Sequence, residues 1–222
     1  MINKYWDNLA DYFNGAVFNG MAVVDVSGSM NGPEASAPIN VAISLGMYCA
    51  EKAKGPFAGH FLTFSARPNL VKVEGVDFCD KVNRMNSADW GMNTNLEACF
   101  DMLLKTAINN HCTQDELPQN LIVISDMEID AARGCWGYYS SVTPVDTMME
   151  NMRKKWAAHG YELPRLVYWN VDARQNNFLD NDPNVSYISG FSPTIFQQLM
   201  SGKTGYELML ETLNSERYAV IK

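Results

Sequence analysis

The stretch "MAVVDVSGSMNG", residues 21–32, places an apolar run directly before a cluster of oxygen-bearing side chains. The apolar run, residues 20–26, predicts a short strand buried on both faces, as in a parallel sheet. Asp25, Ser27 and Ser29 follow in alternation with an apolar residue and a glycine. Because ligands of open α/β sheets bind at the carboxyl ends of the strands, this stretch predicts a functional site there.

Predicted strands and helices alternate along the rest of the chain. This order favours an α/β fold, a doubly wound and mostly parallel sheet with helices on both faces. A sharp turn precedes residues 69–75, which alternate apolar and polar side chains and are predicted to form an antiparallel edge strand. The further predicted strands cover 59–65, 120–126, 164–172 and 185–190.

Apolar residues recur at helical spacing between the strands. Pro38 at a first helical position and Thr143 as an N-cap mark two helix starts. The predicted helices cover 38–54, 78–85, 95–107, 143–160 and 193–213. We expect residues 1–17 to form an amphipathic helix that packs on the domain or a segment that contacts another domain, and residues 18–222 to form a single domain.

Composition excludes several classes of function. The 222 residues are 47% hydrophobic, which suffices for one sizeable core, and the net charge of −8 repels phosphate backbones and anionic lipid. No window approaches the roughly 18 apolar residues that a membrane span needs, and the N-terminus does not resemble an export signal. Five cysteines without a C-x-x-C pair are interpreted as reduced, buried thiols, so we expect a cytoplasmic, intracellular protein.

Two further oxygen-bearing residues are predicted at the same edge of the sheet. Thr94 stands where a helix begins, and Asp126 follows the strand "NLIVIS". Together with Asp25, Ser27 and Ser29 they offer only hard oxygen donors, which favours Mg²⁺, with Mn²⁺ or Ca²⁺ as alternatives, over zinc or copper. With three neutral hydroxyls in the set, we expect the ion to stay electrophilic and to accept a carboxylate from outside.

These residues resemble the metal-ion-dependent adhesion site of the von Willebrand factor type A (vWA) domain. The resemblance rests on Asp25-Val26-Ser27-Gly28-Ser29, then Thr94 in "GMNTNLEA", then Asp126 in "VISDMEID", in that order. It implies a six-stranded doubly wound sheet with one antiparallel edge strand. It also implies that Ser27, Ser29 and Thr94 coordinate Mg²⁺ directly, that Asp25 and Asp126 act largely through water, and that a Glu or Asp of a protein partner completes the coordination.

Within this family the chain is similar to the intracellular branch, in particular to the C-terminal domain of Ro-type ribonucleoproteins and of related uncharacterised, partly viral proteins. That similarity implies one domain of a longer protein, in which RNA is bound only indirectly if at all. The chain departs from the family after Asp126, where Met127 replaces the frequent glycine. The residues expected to contact the partner are Met30, Asn31, Asn93, Asn95, Met127, Glu128 and Trp136.

Three alternatives stay open. In the first, Ser27 and Ser29 only cap the following turn, and Asp25 accepts hydrogen bonds from backbone amides. In the second, Mg²⁺ beside Asp126, Glu128 and Asp130 activates water for hydrolysis. No histidine is placed to act as a base for a serine, and we expect no enzyme activity. As the third alternative, the chain would serve as an accessory module of an RNA-associated assembly.

Overall fold

The protein, described by a computed structural model, is built on a six-stranded sheet. The structure describes residues 1–13, 15, 18–33, 37–86, 95–127, 145–172, 184–192, 195–196 and 205–221. The strand order is β3-β2-β1-β4-β5-β6, and β2 and β3 pair antiparallel while all other neighbours are parallel. The strands are β1 (Gly20–Val24), β2 (His60–Thr63), β3 (Leu70–Lys72), β4 (Asn120–Ser125), β5 (Arg165–Asn170) and β6 (Val185–Ser189). The predicted doubly wound sheet with one antiparallel edge strand is confirmed.

Helices flank the sheet on both faces. They are α1 (Ile2–Asp7), α2 (Pro38–Lys52), α3 (Phe78–Asn86), α4 (Leu96–Asn109), α5 (Val145–Ala157) and α6 (Gly205–Leu213). Pro38 begins α2 as predicted, and the Asn95 side chain caps α4. Strand β1 ends at Val24, two residues before the predicted end, because the Asp25 carboxylate accepts the Ser27 N–H and turns the chain.

Alternating side chains of β1 enter two separate cores. Met21 and Val23 pack with residues of α4 and α5, whereas Ala22 and Val24 pack with residues of α2. Helix α2 approaches β1 closely at Gly46, where an added Cβ would overlap the Val24 side chain. The close approach fixes the end of β1, and therefore the start of the loop at Asp25, against a rigid helix.

The N-terminal segment packs on α2 and α3 through aromatic side chains. The Trp6 ring lies 4.9 Å from that of Phe78 and 6.5 Å from that of Tyr48, and its Nε1 donates a hydrogen bond to Glu51 at 2.8 Å. The helix itself ends at Asp7, well before the end of the predicted segment at residue 17. Contact between this segment and another domain stays a prediction.

Four of the five cysteines lie in the described residues and are free thiols. Cys49, Cys99 and Cys112 are buried, and burial raises the pKa of each thiol. Cys79 is exposed, so the expectation that the cysteines are buried is wrong at this position. Within the described part of the chain, no helix is both long enough and apolar enough to cross a bilayer.

Candidate metal site at the carboxyl edge of the sheet

The candidate site lies where β1 and β4 end side by side. These strands pair from Gly20 with Asn120 to Val24 with Ile124, and the Asp25 N–H extends the pairing by donating to the Ile124 carbonyl at 3.0 Å. From β1 the chain proceeds to β2 on one side of the pair, and from β4 it proceeds to β5 on the other. This is the switch point of the sheet, the place where open α/β sheets bind ligands.

Asp25 is a buried carboxylate with two hydrogen bonds. It is 0% exposed; its Oδ1 accepts the Ser27 N–H at 2.8 Å and its Oδ2 accepts the Ser125 hydroxyl at 2.5 Å. Burial raises the pKa of Asp25 above its ordinary value, although the hydrogen bonds from Ser125 and Ser27 oppose that shift. Asp25 is therefore harder to ionise in the folded protein than in water, and the nearby charge of Asp126 adds to this effect.

The turn after Asp25 brings two serine hydroxyls together. Residues Gly28–Met30 form one turn of 3₁₀ helix, in which the Met30 N–H donates to the Ser27 carbonyl at 3.1 Å. Because this turn folds the chain back, the Oγ atoms of Ser27 and Ser29 lie 3.1 Å apart. Both side chains are partly exposed, so the pair is open toward the surface beside the buried Asp25.

Asp126 begins the second turn of the site, directly after β4. Its N–H donates to the sulfur of Met30 at 3.2 Å, and its side chain is 5% exposed. Met127 follows in the left-handed backbone region with φ of 64°, and its N–H donates to the Ser125 hydroxyl at 3.0 Å. This conformation suits glycine better than methionine.

The structure brings four of the five predicted metal-site residues to this edge of the sheet. Asp25, Ser27 and Ser29 lie at the end of β1, and Asp126 lies at the end of the adjacent strand β4. Thr94 lies outside the described residues. So do Asn93, Glu128 and Trp136, which were predicted to contact a partner, and Asp130 of the hydrolase alternative.

The four remaining residues predicted to contact a partner divide into two pairs. Asn31 and Asn95 are exposed, and their contact with a partner stays a prediction. Met30 and Met127 are 0% and 2% exposed, so their side chains do not reach the surface. We therefore reassign these two methionines to the core, Met30 because its sulfur accepts the Asp126 N–H and Met127 because it packs with α4 and α5.

Ser125 also belongs to this site, although it was not among the predicted residues. This serine is the last residue of β4, is 0% exposed, and contacts both Asp25 and the backbone of Met127. The only signal in the sequence was a hydroxyl residue immediately before Asp126 in an otherwise aliphatic strand.

The donor set fits a hard cation on chemical grounds. A buried carboxylate beside two adjacent hydroxyl oxygens supplies the ligand type that Mg²⁺, Mn²⁺ and Ca²⁺ prefer. Among the described residues, no three His, Cys, Asp or Glu side chains group together to hold a metal. A cation bound here would therefore depend on the serine hydroxyls and on water as well as on carboxylates.

Comparison with known proteins places the chain in a family. The family model described as "Domain of unknown function (DUF7788)" matches residues 19–218. Uncharacterized protein L728 of Acanthamoeba polyphaga mimivirus is 31% identical over 208 residues, which is 91% of this chain and 34% of the viral protein. The chain thus spans about a third of the length of this curated relative.

Solved structures with the same fold include the Ro (RSR) protein of Deinococcus radiodurans. The alignment of this chain with the Ro protein has a TM-score of 0.54 at 14% sequence identity, and it covers 90% of this chain and 36% of that protein. The vWA domain of SpRpn10 aligns with a TM-score of 0.42 at 10% identity, covering 85% of this chain and 96% of that domain. At 14% identity the likeness to the Ro protein supports a shared fold alone, and it does not extend to ligands.

Proposed function

We propose that this chain, which belongs to the DUF7788 family, is a magnesium-dependent protein-interaction domain. The ion would be held by Ser27, Ser29 and Thr94, with Asp25 and Asp126 acting through water, and a partner's Glu or Asp would complete the coordination. Mn²⁺ or Ca²⁺ would substitute for Mg²⁺. The proposal includes an intracellular location and a binding role rather than catalysis.

One observation carries the proposal: a fully buried carboxylate beside a pair of open hydroxyls. Asp25 is 0% exposed, and among the residues that the structure describes no cationic side chain contributes to its pKa shift, which is dominated by burial. A bound cation would supply the missing positive charge, and the serine pair 3.1 Å apart would supply two oxygens next to it. A turn capped only by serines does not explain why the carboxylate is buried.

The proposed ion would be reached by a partner because its neutral ligands are at the surface. Ser27 and Ser29 are partly exposed, and the exposed Asn31 and Asn95 stand on the loops that follow β1 and precede α4. A cation held mainly by neutral hydroxyls and water retains charge to attract an external carboxylate. This geometry supports recognition of an acidic side chain.

The first experiment titrates Mg²⁺ and Mn²⁺ into chelator-treated protein by calorimetry. We expect saturable binding by the wild type, loss of binding in Asp25→Ala, and unchanged binding in Ser65→Ala. Ser65 is a matched control because it is a buried serine that follows the adjacent strand β2. Absence of binding in the wild type, or full binding by Asp25→Ala, would contradict the proposal.

The second experiment tests the carboxylate preference. A short synthetic peptide with one central Glu is compared with the same peptide carrying Gln, each in Mg²⁺ and in chelator. We expect binding only by the Glu peptide and only with Mg²⁺ present. Equal binding of the two peptides, or binding that persists in chelator, would exclude capture of a carboxylate by the metal.

A second candidate function rests on the likeness in fold to the Ro protein. In that proposal the chain is an accessory module of an RNA-associated assembly, in which another part of the longer protein binds the RNA. The net charge of −8 argues against direct binding of RNA by this domain. Gel-shift titration of this domain with a structured RNA should show no complex, whereas the longer protein should form one.

A further inference from the structure

Two hydrogen bonds connect the turns at the ends of β1 and β4. The Ser125 hydroxyl, on β4, donates to Asp25 at 2.5 Å, and the Asp126 N–H donates to the sulfur of Met30 at 3.2 Å. The partners are 100 and 96 residues apart in the sequence, so both bonds are tertiary. We call this pair of bonds the cross-tie. Each turn supplies one residue that contacts a predicted metal-site residue of the other.

The hydrogen-bond inventory fixes the direction of the first bond. A backbone N–H can only donate, so the Ser125 hydroxyl accepts from Met127 at 3.0 Å, and an ionised carboxylate can only accept. The single hydroxyl proton is then directed to the Asp25 Oδ2 atom. Ser125 therefore orients the carboxylate of the first turn and binds the backbone of the second turn at the same time.

The second bond fixes the Asp126 backbone through Met30. A thioether sulfur is a weak acceptor, but Met30 is 0% exposed and holds its sulfur at the buried Asp126 amide. A leucine at this position would keep the apolar volume and remove the acceptor. The sulfur, rather than the bulk of the side chain, is thus the testable feature.

We infer that Ser125 and Met30 are positioning residues that hold Asp25 and Asp126 in the arrangement a cation requires. The inference rests on the proposed function for its metal readout, and it assigns roles to two residues outside the predicted ligand set. Residues that orient metal ligands typically change metal affinity by about 10- to 100-fold when mutated. Without the cross-tie, each carboxylate would have to be ordered when the ion binds.

The test uses two variants, each with a matched control. Ser125→Ala is compared with Ser65→Ala, because both serines are buried and lie at or just beyond the ends of the two strands that flank β1, yet the Ser65 hydroxyl has no hydrogen-bond partner in the described structure. Met30→Leu is compared with Met47→Leu, because both methionines are 0% exposed in the same core cluster. Ser125→Thr keeps the hydroxyl and serves as the rescue variant.

The first readout needs no metal. Hydrogen–deuterium exchange in chelator follows the peptides that contain residues 25–31 and 121–127. We expect faster exchange of both peptides in Ser125→Ala and Met30→Leu, and wild-type exchange in Ser125→Thr and in both controls. Wild-type exchange in Ser125→Ala and Met30→Leu would overturn the inference. If Ser125→Ala does not fold, Ser125→Thr and Met30→Leu still decide it.

The second readout is Mn²⁺ affinity by calorimetry. We expect Kd to rise about 10- to 100-fold in Ser125→Ala and in Met30→Leu, and to stay within about twofold in Ser125→Thr and in both controls. Unchanged Kd in the two test variants would overturn the positioning role. A wild type that binds no Mn²⁺ overturns the proposed function alone, because the exchange readout still decides whether the cross-tie orders the two turns.

Discussion

The two turns that meet at the candidate site, one after β1 and one after β4, differ in how much polar side-chain contacts and burial stabilise them. The turn after β1 is polar: Asp25 accepts a backbone N–H, two serine hydroxyls lie 3.1 Å apart, and a 3₁₀ turn follows. The turn after β4 depends on burial, because Met127 occupies the left-handed region with its side chain 2% exposed in the core. The comparison teaches that one site can place one carboxylate by hydrogen bonds to the carboxylate itself, and the other by the packing and the backbone hydrogen bonds of its turn.

The strongest test of this difference is Asp25→Asn. Asparagine keeps the size of the side chain and removes its charge, so we expect saturable Mn²⁺ binding to be lost. The apo protein should become more stable at pH 7 in chelator. A raised carboxyl pKa means that the folded protein holds this proton more tightly than the unfolded chain does, so ionised Asp25 lowers the free energy of unfolding at neutral pH.

Calorimetry and thermal unfolding in chelator check the two parts of this prediction. Asp77→Asn is the control, because its exposed carboxylate accepts the Asp80 N–H at the start of α3, outside the candidate site. A lower Tm for Asp25→Asn in chelator would mean that the hydrogen bonds of Asp25 outweigh the cost of its burial.

Met127→Gly tests the turn that depends on packing. Relief of the left-handed backbone strain by glycine should raise the free energy of unfolding by about 1–2 kcal/mol. Loss of a buried methionine side chain should lower it by about 2–5 kcal/mol. We therefore expect a net decrease in the free energy of unfolding, measured by urea denaturation. A more stable Met127→Gly protein would show that backbone strain, rather than packing, dominates the second turn.

Gly46→Ala tests how far the first turn depends on the close approach of α2 to β1. An alanine Cβ at position 46 overlaps the Val24 side chain, which is fully buried and immediately precedes Asp25. Overpacking of this kind costs about 1–3 kcal/mol. Urea denaturation of Gly46→Ala and of the double variant Gly46→Ala/Val24→Ala should show that the second substitution recovers part of the loss.

His111→Gly has the smallest expected effect and sharpens the interpretation of Met127. His111 also lies in the left-handed region, with φ of 52°, but its side chain is exposed after the end of α4. With little burial to lose, glycine should raise the free energy of unfolding by up to about 1 kcal/mol. Opposite signs for His111→Gly and Met127→Gly would separate backbone strain from packing.

Much of the fold could be predicted because its signals are local. Buried strands appear as short apolar runs, Pro38 marks a helix start, and residues 69–75 alternate as an edge strand does. The convergence of Asp25 and Asp126 followed from topology alone, since carboxyl ends of neighbouring parallel strands share one edge. These inferences needed no knowledge of side-chain contacts.

The cross-tie could not be predicted because its partners are about a hundred residues apart in the chain. Nothing local distinguishes Ser125 from an ordinary strand end. Met30 lies next to polar residues in the sequence and was expected at the surface, yet the 3₁₀ turn directs it into the core. The left-handed backbone of Met127 was equally hidden, since the residue type argues against it.

The burial of Met30 makes its sulfur an internal reporter. Exposed methionines such as Met1 and Met209 can react with a mild oxidant in the native fold, whereas Met30 can react only when the region around it opens. Oxidative footprinting by mass spectrometry would thus compare the oxidation rate of Met30, which reports the opening of this region, with the oxidation rates of the surface methionines. A ligand that closes the site would slow the labelling of Met30 and leave Met1 and Met209 unaffected.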